Sequence, residues 1–262
     1  KKIDKKIPFV RELSKNYAGI DPVYEPIPVR PVVHYMMGGI DTDITGATAL
    51  PGFYAAGECA CVSINGANRL GSNSLTELLV FGSRAGKAAA QFALERPRLN
   101  TASLELQAAD EQKRIARDFI QKEGGTERIV TLRKEMNETM ETSAGIYRSE
   151  KSLKETCDKI KELKDRFSNV LMEDRSLNFN TELTSALELE FMLDVAEAIA
   201  YSALERTESR GSHQRTDFPG RDDENFLKHS LAYRNDTKPR IDYKDVVITK
   251  WPPGERVYGK EE

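Results

Sequence analysis

Residues 65–86 read NGANRLGSNSLTELLVFGSRAG, and the change of character inside them decides the fold. The first half is a polar loop punctuated by Gly66 and Gly71; the second is an apolar run at helical spacing. Ser74 and Glu77, three apart, fit a capping box, so a helix is predicted over 72–95, starting beside Ser74. A helix start carries unpaired N–H groups and partial positive charge, which suits an anion or an electron-rich carbonyl. Arg69 adds a planar fork in the same loop, shaped for a carboxylate. Gly82 and Gly86, four apart, put small residues on one helix face, which predicts close packing against a sheet or another helix.

Upstream, RPVVHYMMGGI (30–40) places one of the chain's three histidines, His34, between an apolar run and a glycine pair. A packed strand needs neither, whereas backbone approaching a flat cofactor or a small anion uses both. The stretches VVHYMMGGIDTD (32–43) and GFYAAGE (52–58) read as short strands ended by glycine or acid. The second also has the form of half a dinucleotide site, a strand ending in glycine followed by a carboxylate, Glu58, able to bind sugar hydroxyls. Before them, KKIPFVRELSKNYAG (5–19) reads as a short helix. The four prolines of 22–31 then exclude a regular helix and predict an extended connector.

Downstream the chain turns charged and helical. Helices are predicted over 102–123, 126–142, 149–171 and 180–208. In the third, Leu153, Cys157, Ile160, Leu163 and Phe167 make one apolar stripe. The fourth is apolar over more of its surface (Leu183, Leu187, Phe191, Val195, Ile199) and reads as the central helix of a bundle. The run 209–229 holds His213, Asp217, Asp222, Asp223 and His229, interleaved with Arg210, Arg215, Arg221 and Lys228. These spacings match no compact ligand set, so no metal site is assigned, and a network of salt bridges and hydrogen bonds is expected instead. YKDVVITKW (243–251) reads as a strand, followed by an anchored turn at Trp251–Pro252–Pro253.

The 262 residues are 39% hydrophobic and 31% charged, with a formal net charge of −3. That gives no nucleic-acid footprint and no basic membrane-binding stripe. No apolar stretch approaches the roughly 20 residues that span a bilayer, and there is no signal peptide, so membrane association is expected through partner subunits. Cys59, Cys61 and Cys157 lack the paired spacing of a zinc site and read as idle thiols. The chain opens on Lys1, not Met, and so reads as part of something longer.

Taken together, PVRPVVHYMMGGIDTD, ALPGFYAAGECACVSINGANRLGSNSLTELLVFGSRAG, SRGSHQRTDFPGRDDENFLKH and IDYKDVVITKWPPGERVYG closely resemble the flavoprotein subunit of succinate dehydrogenase and fumarate reductase. The resemblance runs over nearly the whole chain. RLGSNSL and the short hairpin between Asp43 and Leu50 bring it nearer to the bacterial enzymes. It implies an α/β plus all-α fold: the C-terminal lobe of a Rossmann-like FAD-binding domain, an antiparallel helical bundle and a small C-terminal α+β segment. The implied boundaries are 1–30 for a return segment from the capping domain, 31–100 for the FAD-binding lobe, 101–210 for the bundle, and 211–262 for a segment docking on the flavin domain.

The resemblance further implies hydride transfer between FAD and the C2–C3 bond of succinate or fumarate. Electrons would pass on to an iron–sulfur subunit, with membrane anchor subunits holding the complex on the inner, cytoplasmic face of the membrane. His34 and Arg69 would hold substrate carboxylates. Glu58 would bind the flavin's ribityl chain, and His34, Tyr35, Arg69, Ser74 and Leu75 would adjoin the cofactor, with Gly38–Gly39 turning the backbone beside the ring. No G-x-G-x-x-G occurs in these residues. The family's covalent flavin histidine and proton-transferring arginine belong to a half not seen here, so the chain alone is expected neither to hold FAD tightly nor to turn over. Rivals are L-aspartate oxidase, which shares the HY…GG and GANR…SNSL motifs, and a non-catalytic helical scaffold. The long helical region and the DYKDVVITKW…ERVYG tail favour the respiratory enzyme.

Overall fold

The structure, a computed structural model, describes residues 2–96 and 101–254, and the chain divides into two units, Lys1–Tyr35 and Met36–Glu262. In the first, α1 (Lys2–Lys6) and α2 (Pro8–Leu13) are separate because Pro8 has no N–H to continue a helix but suits the start of one. A single π turn, Ser14–Ala18, extends α2. Arg11 then grips Asp21 with both arms of its guanidinium, at 3.0 and 2.8 Å, and fixes where the chain leaves the helix. The proline-rich run that follows is irregular, as its composition requires.

The second unit begins with less strand than expected. Only β1 (Ile40–Asp41) and β2 (Ala60–Cys61) pair, in parallel, and within 52–58 there is one bridge, Tyr54 to Ala47. Strands persist only where a ladder satisfies them. Val32 and Val33 have none among the described residues and lie exposed. Gly39, at φ 126°, is required by β-pairing itself, since a Cβ there would sit 2.4 Å from the Cys59 carbonyl oxygen.

α3 (Asn73–Glu95) matches the predicted span and starts beside Ser74, but the expected capping box does not form. The N-cap is Ser72, at φ 66° and without a side-chain cap bond, and Ser74 lies inside the first turn. Glu77 cannot close a capping box because it is buried and accepts a 2.7 Å hydrogen bond from Asn65. Gly82 and Gly86 face open space rather than a close-packed neighbour among the described residues.

The bundle comprises α4 (Ala102–Ile115), continued by a π turn at Ala116–Ile120, then α5 (Ile129–Ser143), α6 (Glu150–Phe167) and α7 (Thr181–Glu205). Ser149 caps α6 reciprocally with Ser152, and Asn180 caps α7 on the Leu183 N–H at 2.7 Å. The expected α6 stripe is buried: Leu153, Cys157, Ile160 and Leu163 face inward, with Phe167 against the same core. On α7 the buried face is a different one, formed by Ala186, Leu189, Leu193, Ala196, Ala200 and Ala203, while Phe191 is 64% exposed. The alanines permit α7 to lie close to α5 and α6, and this small-residue face wins over the bulkier one.

β3 (Tyr147–Arg148), between α5 and α6, pairs in parallel with β4 (Gln214–Arg215), which follows α7, and after the short α8 (Asp223–Phe226), β5 (Lys228–Tyr233) runs antiparallel to β6 (Arg240–Asp245). The strand expected at 243–251 thus starts and stops earlier. Lys228 opposes Asp245, so the ladder ends where β5 begins. Trp251 is 76% exposed rather than anchored. Residues 255–259, the ERVYG end of the tail motif, lie outside the described residues. Truncating Leu163 in the bundle core to Ala is expected to cost about 2–5 kcal/mol, whereas Val195→Ala on the outer face of α7 should cost under about 0.5 kcal/mol. Urea unfolding of the two variants checks this, and equal losses would refute the assignment of the inner face.

Candidate functional site

His34 and Tyr35 close the first unit: the imidazole is exposed and the phenol half-buried, on irregular backbone. Glu58, Arg69, Ser74 and Leu75 belong to the second unit. Glu58 follows Gly57 at the turn before β2. Its carboxylate is exposed, with one oxygen accepting the Met36 N–H at 3.1 Å. Arg69 is half-buried in the loop entering α3, and one guanidinium nitrogen donates to the Leu70 carbonyl at 2.9 Å. Ser74 and Leu75 occupy the first turn of α3, Leu75 with its side chain in the open.

The helix start offers less to an anion than its sequence implies. The Asn73 and Leu75 N–H groups turn back onto the Leu70 and Ser72 carbonyls at 3.3 and 3.2 Å. What remains suits a flavin in kind: a solvent-facing carboxylate for sugar-like hydroxyls at Glu58 and an exposed apolar side chain at Leu75 for a flat ring. A depression of about 280 Å³ beside this turn is lined by Asn65, Thr76, Glu77, Val80 and Phe81 and includes none of the assigned residues.

Behind the loop stands a knot of buried charge. Glu208 is fully buried between Arg206 and Arg210, which donate to it at 2.9, 2.8 and 2.9 Å, and it also accepts the Asp222 N–H at 2.8 Å. Arg215, also buried, pairs with Asp217 and donates to the Ala203, Leu204 and Arg206 carbonyls at the end of α7. That guanidinium holds the Asp217 carboxyl well below the usual carboxylate range. The network expected in 209–229 is therefore present, and sequence reasoning missed three of its members: Arg148, Arg206 and Glu208.

His213 sits at the centre. Arg148 can only donate, so the 2.9 Å contact from its Nη1 makes His213 Nδ1 an acceptor. Nε2 then carries the proton and donates to the Arg206 carbonyl at 3.0 Å. Burial, with the positive charges of Arg148, Arg206 and Arg215, lowers the imidazole pKa to about 4, although the Arg206 carbonyl opposes the shift. Arg148 is itself lowered, first by burial and then by Arg215.

Residues that follow α7 hold the front of the unit through three contacts. The Ser63 hydroxyl meets His229 Nε2 at 2.7 Å, and Lys244 reaches both Asp41 oxygens at 3.0 and 3.1 Å. Ser212 grips the Ala67 carbonyl, two residues before Arg69. No local pattern signals these contacts, since each joins residues far apart in the chain.

A family described as FAD binding domain matches residues 1–75, and one described as fumarate reductase flavoprotein C-term matches 133–258, so the chain is of the FAD-binding flavoprotein class. It is 57% identical to the fumarate reductase flavoprotein subunit of Mycobacterium tuberculosis, covering 98% of this chain and 45% of that protein. It is 38% identical to the succinate dehydrogenase flavoprotein subunit of Rickettsia bellii, covering 98% and 46%. A substituted E. coli quinol fumarate reductase FrdA superposes with a TM-score of 0.93 at 47% identity, covering 99% of this chain and 45% of that one. The chain belongs to the fumarate reductase and succinate dehydrogenase flavoprotein-subunit family and spans about half the length of the relatives it matches. No helix among the described residues is long and apolar enough to cross a membrane.

The His213 arrangement predicts an acid response. An unfolded chain binds a proton on this imidazole near pH 6.5, while the fold refuses it until about pH 4. The stability due to neutral His213 is therefore complete above pH 6.5 and lost as pH falls toward 4. Its half-buried position limits the effect to on the order of 2 kcal/mol. In His213→Gln, thermal unfolding between pH 7.5 and 4 should show a gap from the parent that is widest at neutral pH and narrows with acid. A gap constant across that range would exclude this role.

Proposed function

We propose that this chain supplies the C-terminal part of the FAD and dicarboxylate site of a succinate:quinone or quinol:fumarate oxidoreductase flavoprotein subunit. Residues 31–100 would be the C-terminal lobe of its FAD-binding domain, 101–210 an antiparallel bundle, 211–262 a docking segment and 1–30 the return from the capping domain. The observation that carries the reading is 57% identity across nearly the whole chain to a fumarate reductase flavoprotein subunit. Support also comes from the exposed Glu58 carboxylate and the Arg69 loop at the start of α3.

Bound FAD would give or take hydride at the C2–C3 bond of the substrate. The chain's own residues do the rest. Arg69 and His34 would each hold a carboxylate, Glu58 the ribityl hydroxyls, and Tyr35, Ser74 and Leu75 the margin of the ring. A dicarboxylate gains negative charge as hydride reaches fumarate, so fixed cations stabilise the transition state more than the ground state. A two-armed arginine also fixes the angle of the substrate, which a lysine cannot. An iron–sulfur subunit would take the electrons, and membrane anchor subunits would hold the complex to the inner face of the membrane.

The test uses the full-length subunit in its complex. Arg69→Lys keeps the charge but loses the fork, and is expected to lower kcat/KM for fumarate by about 10²–10³-fold while covalent or bound flavin stays at parent level. Activity within about threefold of the parent would overturn the assignment.

A further inference from the structure

Gly211 and Ser212 form a turn outside the bundle's core that is braced on both flanks. The Arg210 and His213 backbones bond each other in both directions, at 2.8 and 3.0 Å. On one flank Arg210 is tied to Glu208 and Asp223; on the other His213 is held by Arg148 and by the Arg206 carbonyl. The whole tip is spent on one atom. The Ser212 N–H and the Ser212 hydroxyl both donate to the Ala67 carbonyl, each at 2.9 Å. Gly211 stands at φ 58°, and a Cβ there would lie 2.5 Å from that same oxygen, 2.6 Å from its carbon and 2.8 Å from the Ala67 Cβ. The contact therefore demands a residue with no side chain, and it leaves the Ala67 backbone one position.

We propose that the Gly211–Ser212 turn is a positioning element for Arg69: the helical bundle, through its buried charge knot, sets the placement of the arginine that holds the substrate. This rests on the reading of Arg69 given above. Ala67 is two residues from Arg69 in a glycine-punctuated loop, so its carbonyl is one of the fixed ends of the short segment that carries Arg69. The loop is also held at Asn65, by Glu77, and at Leu70, by the Asn73 N–H, so a shift of the Ala67 end is taken up in the short stretch that carries Arg69. Misplacement of about 1 Å at a substrate-orienting group costs on the order of 10²-fold in rate. The turn itself touches no substrate. Its effect runs through Arg69 alone.

The experiment uses the full-length subunit assembled in its complex, with malonate as an unreactive dicarboxylate probe read by perturbation of the flavin spectrum. Gly211→Ala should weaken malonate by about tenfold or more and lower kcat/KM for fumarate by about 10–10²-fold, at unchanged flavin content. Ser212→Ala, which keeps the N–H and loses the hydroxyl, should give a smaller loss, and Ser212→Thr should restore it. The decisive reading is the double-variant cycle: in an Arg69→Lys background the Ser212→Ala effect should vanish, whereas a merely structural role would leave it additive. If Gly211→Ala does not assemble, the Ser212 series decides alone. Additive effects, or malonate affinity unchanged in Ser212→Ala and Gly211→Ala while Arg69→Lys abolishes it, would overturn the positioning role and leave the site reading intact. Malonate affinity unchanged in Arg69→Lys itself would instead bring down the site reading, and the positioning role with it.

Discussion

A carboxylate with no access to water, that of Glu208, sets the terms for this half of the molecule. Burying a charge is costly unless its lone pairs are met by donors, and taking one donor away leaves the charge stranded. Here three guanidinium N–H contacts and one backbone N–H converge on it. Both arginines are committed elsewhere as well. Arg206 bonds the Lys228 carbonyl, the Ser230 hydroxyl and the Phe226 carbonyl, and Arg210 bonds Asp223. One carboxylate thereby fixes the end of α7, the short α8 and the start of β5. The carbonyls that α7 leaves unpaired at its last turn are met in the same way, by Arg215.

Rigidity built this way is useful only where a loop must be held from outside. The loop at 65–72 is tied to α3 at its ends, by Asn65 on Glu77 and the Asn73 N–H on Leu70, and is braced between them from outside. It is polar and glycine-punctuated, and α3 starts without a side-chain cap. Binding and catalytic groups sit on loops of this kind when a scaffold positions them. In this chain the scaffold is not the two-residue sheet beside the loop but the bundle behind it, reached through Ser212.

The sequence made some of this legible and concealed the rest for physical reasons. The α6 stripe could be read because Leu153, Cys157, Ile160 and Leu163 are all buried on one face and polar residues fill the others. α7 could not be read in the same way. Its apolar residues are spread over more than one face, so periodicity does not choose between Leu189–Leu193 and Phe191–Val195; its neighbours choose. The capping box failed because tertiary burial took Glu77 for Asn65, a claim no local pattern announces. The two-residue strands are too short to show a period. Of the site, Glu58, Arg69, Ser74 and Leu75 came from resemblance more than from spacing, and Ser212 to Ala67, 145 residues apart, came from neither.

On the proposed reading of Arg69 as a holder of dicarboxylate, this long-range bracing has a physical purpose. Two fixed cations that bind both substrate and product by charge alone would give tight binding and little catalysis, because the attraction acts equally on ground and transition states. What distinguishes the states is direction: where the added charge develops, and whether a donor already points there. Direction depends on backbone placement to within about half an ångström, which a glycine-rich loop in water does not supply. The stiffness must be imported from a part of the chain where burying charge has already removed the alternatives, and in this chain the buried knot around Glu208 and His213 is where that stiffness resides.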